Sequence, residues 1–119
     1  HPEWNWQTFG PGASLAMRRP DGTWDTQPVN PNDRVHRDLA FAGEEMPAGA
    51  HRLLAPGGQL AVEERFEPEA VTQVKLILNT DMAALFTQVH FRTVRLAPGE
   101  QCRFGVTWRV LRGAEARSR

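Results

Sequence analysis

Histidines, tryptophans and paired glutamates are the residues of this 119-residue chain that could do chemistry. The histidines stand at His1, His36, His51 and His90. None falls in the HxH, HExxH or Cys/His spacings that build a metal site locally, so all four become ligands only if the fold gathers them. An N-terminal His1 adds one option, because its α-amine and its ring can hold the same ion. Trp4 and Trp6 share one face of an alternating segment, with Trp24 across a hairpin. Indoles so placed would form a platform for the apolar face of a sugar ring, with Asn5, Gln7 and Asp25 to bond its hydroxyls. The alternative is burial, since tryptophan is a large hydrophobe.

Carboxylates occur in adjacent pairs at Glu44-Glu45 and Glu63-Glu64. Neighbours on an extended chain point to opposite faces, so neither pair can serve as an acid/base couple. Glu64 stands out because it falls on the inward parity of its segment, with Leu60, Val62 and Phe66. A carboxylate there would have a raised pKa and is a candidate for function, unless the strand bulges or reaches the open end of the fold. The ligand-binding candidates are therefore Trp4, Trp6, Trp24, Asp25 and Glu64, and the metal candidates His1, His36, His51 and His90. Ser14 and Ser118 lack a nucleophile elbow. Cys102 is expected on the inner face of a strand, as a packing thiol. Gly10-Pro11-Gly12 contains proline and opens a strand, so it is no phosphate loop.

A mature N-terminal histidine working with a second one resembles the T-shaped copper site of lytic polysaccharide monooxygenases and some periplasmic copper carriers, themselves β-sandwiches. The resemblance rests on His1 and the fold, and implies copper as the one cofactor to consider; otherwise none is expected. The chain opens His1-Pro2, so either an export signal has been removed or the segment belongs to a longer chain. The first case implies an exported or periplasmic protein, the second a cytoplasmic one.

The elements that must hold these residues are short strands. The length suits one domain with its own core. Formal net charge is zero, which gives no global attraction to nucleic acid or anionic lipid. Cys102 is the only cysteine, so internal disulfides and cysteine zinc clusters are excluded. No apolar run approaches a membrane span. Leu-Ala-Pro-Gly occurs twice, at 54–57 and 96–99, and each Pro-Gly marks a turn. After the second, Cys102, Phe104, Val106, Trp108 and Val110 alternate with polar residues, which predicts a strand with one buried face. After the first, Leu60, Val62 and Phe66 do the same. Strands are also predicted at 50–54, across Thr72–Leu78, and around Leu15 and Met17, with a turn at Pro20-Asp21-Gly22. A parity switch within 86–96 predicts a β-bulge at Arg92–Thr93. Residues 33–42 read either as one short helix or as a strand across Val35–Phe41. The tail, 113–119, is too polar to pack and is expected to fray.

Together these predict one all-β domain over 1–112, an antiparallel β-sandwich of about seven strands, with a barrel as the alternative. Phe86-Thr87-Gln88, Val94, Leu96, Pro98-Gly99-Glu100, Phe104 and Val106-Thr107-Trp108 resemble the C-terminal end of the bacterial intracellular proteinase-inhibitor family. That likeness covers about a fifth of the chain and implies an immunoglobulin-like sandwich. With no nucleophile, no usable acid/base pair and no cofactor motif, the leading expectation is a non-enzymatic binding module for a protein or glycan. A copper protein using His1 and an accessory domain of a sugar-active enzyme are the alternatives. Edge strands without lysine can pair between chains, so a homodimer is a further option.

Overall fold

The computed structural model describes residues 3–5, 12–28, 37–79 and 84–117. Two antiparallel sheets account for most of them. The smaller has four strands in the order β1 (Glu3–Asn5), β8 (Ala84–Phe91), β7 (Val71–Asn79) and β4 (Arg37–Ala42). The larger has five: β3 (Trp24–Pro28), β2 (Ser14–Arg18), β5 (Ala50–Leu54), β6 (Leu60–Phe66) and β9 (Val106–Arg112). A seven-stranded immunoglobulin-type sandwich would instead hold four and three.

Alternating side chains join the layers. Leu15, Met17, Leu53 and Val62 of the larger sheet pack with Leu76 of the smaller, and Phe66 packs with Val71 and Val74. The expected all-β sandwich is therefore what forms. Among the described residues no helix is long and apolar enough to cross a membrane.

The two Leu-Ala-Pro-Gly segments make the same turn. Gly58 donates its N–H to Ala55 and Glu100 donates to Ala97, both at 3.0 Å. Gly57 and Gly99 have φ of 83° and 85°, as residue i+2 of a type II turn requires. The first turn leads almost directly into β6. The second does not launch a strand at 101, contrary to the alternation there. β9 starts only at Val106, opposite Phe66, because β6 ends at Phe66 and Pro68 follows with no ladder donor. Residues 101–105 consequently pair with no described strand, and Cys102 is exposed, not a packing thiol. Phe104 instead stacks on Phe91, with centroids 4.9 Å apart.

The same reasoning corrects three further expectations. No bulge lies at Arg92–Thr93, since β8 stops at Phe91 and the Arg92 N–H bonds Ala70 O at 2.8 Å. The register shift sits instead in β7, between Val71 and Gln73. Within 33–42 the helix is not found: 37–42 are β4, paired with β7 from Arg37↔Leu78 to Ala42↔Gln73, while 33–36 lie outside the described residues. A continuous ladder there outweighs the helical spacing of Leu39 and Ala42. Finally, the tail is not frayed through residue 117. Gly113 donates to Gln59 O at 2.8 Å, and a helical turn, α1 (Ala114–Arg117), packs Ala116 against Ala61 and Leu111 on the outer face of the larger sheet.

Five strands facing four leave an overhang. Trp108 and Val110 have the inward parity of β9 yet remain 49% and 58% exposed. On the facing sheet, β1 pairs with Ala84–Phe86, so among the described residues no strand pairs with that edge of β8 from Thr87 onward. Among the described residues, the sandwich is thus open along one side.

Candidate functional site

The site grows from the β5–β6 hairpin. Its Pro-Gly turn sets Leu54 opposite Ala61, and counting outward places Arg52 opposite Glu63 and His51 opposite Glu64. Alternation then sends these charged pairs to opposite faces. One pair lies on the outer face of the sheet, covered by other side chains; the other faces the core.

On the outer face, Glu63 is fully buried beneath arginines. Arg52 Nε donates to Oε2 at 2.7 Å, Arg65 Nε donates to Oε1 at 2.5 Å, and the Arg109 guanidinium lies 3.6 Å away. Burial alone would raise the Glu63 pKa, but the hydrogen bonds and charges of Arg65 and Arg52 outweigh it and hold the carboxyl below its ordinary value. Arg52 also lies 4.1 Å from the centroid of the Trp24 ring, a cation–π contact. Trp24 therefore covers an ion pair on the outer face and stands apart from Glu64. Asp25 is bonded to Arg19 at the surface of the β2–β3 hairpin.

Inside, His51 and Glu64 are 2% and 3% exposed, with His51 Nε2 and Glu64 Oε1 3.3 Å apart. Burial lowers the His51 pKa to about 4, and the ring is neutral at neutral pH. Burial also raises Glu64, against a smaller opposing effect from the Trp108 indole N–H, which it accepts at Oε2. Burial disfavours the charged form of each group, and with the ring neutral the contact is not a strong ion pair. From the facing sheet β8 contributes Thr87, 2% exposed. Among the described residues, Thr87 Oγ1, Glu64 Oε1 and both ring nitrogens of His51 are buried without a hydrogen-bond partner.

These groups meet at the open side of the sandwich. A cleft of about 510 Å³ lies between β8 and β9, with buried Glu64 and Thr87 in its lining, Trp108 and Phe91 as half-exposed aromatic walls, and Gln88 and His90 beside them. Its chemistry is mixed: one indole face, one hydroxyl, one carboxyl of raised pKa.

Of the residues singled out from sequence, Glu64 and His90 are the two described ones that line this cleft. Trp4 is carried by β1 opposite Leu85, but its side chain lies outside the described residues, as do Trp6, His1 and His36. His51 faces the interior, whereas His90 is exposed and lies 3.2 Å from Gln88 Oε1 on the outer face of β8. The structure does not bring these two together. Among the described residues no group of three or more histidines, cysteines or acids is placed to hold a metal. Sequence reasoning missed Trp108 and Thr87. Trp108 looked like core, and Thr87 gives no signal until the two sheets are stacked. Comparison of the chain with protein-family models, with curated proteins and with solved structures returns no match.

Proposed function

We propose that this chain is a non-enzymatic binding module that takes a hydroxylated ligand, such as the end of a glycan, into the cleft between β8 and β9. The observation that carries the reading is the pairing of unpartnered buried polar atoms with a half-exposed indole in one recess. A buried hydroxyl or carboxyl without a partner costs about 1–3 kcal/mol, and a ligand hydroxyl reaching Thr87 or Glu64 would recover much of it. Stacking of a sugar's C–H face on Trp108 would supply the apolar contact. Among the described lining residues Glu64 is the single carboxylate, whereas glycoside hydrolysis uses two flanking the scissile bond. That supports binding over catalysis.

Tryptophan fluorescence titrated with a panel of neutral oligosaccharides tests the proposal. The expected result is saturable quenching with at least one of them, lost in Trp108→Ala and weakened in Thr87→Val, with unchanged circular dichroism. Absence of any saturable response, or undiminished binding by Trp108→Ala, overturns it. A protein partner adding a strand to β9 is the second reading, favoured by the exposure of Trp108 and Val110 on an edge with which no described strand pairs. Substituting Val110→Lys separates the two, since it would block strand addition while leaving the cleft lining intact.

A further inference from the structure

We propose that a second recess, beside the cleft, binds an oxyanion: a carboxylate or sulfate group held by Arg65 and Arg103. This goes beyond the glycan reading and does not depend on it. The recess is about 390 Å³ and lies where the end of β6 and the start of β9 meet the irregular segment 101–105. Arg65, Arg103, Thr107, Phe104 and Glu67 line it, and Val106 is shared with the cleft.

Three observations favour an anion. First, Arg65 is held in place from behind. Its Nε donates to the buried carboxylate of Glu63, which fixes the guanidinium plane, and among the described residues its remaining N–H groups have no carboxylate partner although the side chain is 48% exposed. A guanidinium aligned in this way offers two parallel donors at no further ordering cost, the arrangement that recognises planar or tetrahedral oxyanions. Second, Arg103 is exposed, and among the described residues it makes no ion pair, so its charge is free to meet a ligand. Third, the surroundings are cationic. Arg109 reaches the same Glu63 carboxylate, and the Arg92 guanidinium lies 5.5 Å from the Phe104 ring, itself part of the lining. Glu67 is the one carboxylate among the described lining residues, and it opposes an anion, so binding requires Arg65 and Arg103 together.

The test uses arginine Nε–Hε resonances of the intact chain, titrated separately with inorganic sulfate and with glucuronate. Saturable shifts at Arg65 and Arg103 are expected, and Arg103→Ala should weaken binding about tenfold or more, as loss of a charge-assisted contact does. Arg103 lies in an exposed irregular segment, so its replacement leaves the core intact. Arg112→Ala removes the same charge at the far end of β9 and should leave affinity within twofold. Shifts with sulfate alone assign the recess to a tetrahedral anion, and shifts with glucuronate to an acidic sugar; either supports the proposal. No saturable shift with either, or equal weakening by Arg103→Ala and Arg112→Ala, overturns it. Trp108→Ala should leave this binding intact even where it abolishes neutral-sugar binding. Loss of anion binding in that variant would place the anion in the cleft and refute the assignment.

Discussion

Acidification should weaken this fold through one buried ring. His51 titrates at about 4 when folded and at an ordinary 6.5 when unfolded. Between these values the unfolded chain holds one more proton than the folded one, so stability falls as the pH falls. Above 6.5 neither state is protonated and the neutral ring adds no penalty; below about 4 both are, and the loss is complete. The gap corresponds to about 3 kcal/mol, with a slope near 1.4 kcal/mol per pH unit inside the window. Glu64 acts in the opposite sense, since its raised folded pKa lets the native state take up a proton first and adds stability on acidification. His51→Phe isolates the ring, because phenylalanine replaces an aromatic of similar shape beside Phe66, whose ring centroid lies 6.3 Å away, and cannot titrate. Urea unfolding of both proteins should show the wild type losing about 3 kcal/mol more than the variant between pH 6.5 and 4. Parallel stability curves would refute the reasoning. So would an NMR titration placing the His51 pKa at or above 6.5, which would mean a charged ring against an ionised Glu64.

Three more outcomes follow from the same pairs and one turn. Glu64→Gln keeps the volume and an acceptor for Trp108 while removing a charge whose burial is unfavourable. It should stabilise the protein at neutral and alkaline pH, with the gain vanishing below about 4.5, read by urea midpoints across pH. Glu63→Ala should be costly, about 3 kcal/mol in urea unfolding, because it strips Arg52 of its buried counter-charge. Gly49 has φ of 79° and an added Cβ would sit 3.1 Å from Phe66 O, so Gly49→Ala should cost about 1–3 kcal/mol, visible as a lowered Tm.

Much of the sandwich was readable from period-two spacing, because residues such as Leu15, Met17, Val74 and Leu76 sit on strands that another sheet covers. Alternation reports which side chains share a face; it does not report whether anything lies opposite. Trp108 and Val110 show the difference, since they share the inward face of β9 and are half exposed where no described strand faces them. Pairing partners matter in the same way at Cys102, where an alternating segment stays irregular because β6 has already ended. Glu64 was found because it broke an apolar row. Its neighbour His51 was within reach: counting back from the Pro-Gly turn puts the two opposite each other, as hairpin geometry requires. Trp108 and Thr87 were not, for their approach to Glu64 depends on strand and sheet contacts far apart in sequence.

Among the described residues β6 is the one strand hydrogen-bonded to β9, so one wall of the cleft is the outermost slat of its sheet. Peeling that slat breaks one ladder together with the packing of Leu111 and Val106, but leaves the Leu15–Leu53–Leu76 cluster undisturbed, which offers the protein a way to widen its entrance. Amide protons of β9 should therefore exchange with deuterium sooner than those of β5, and an occupant wedged against Trp108 should slow them selectively.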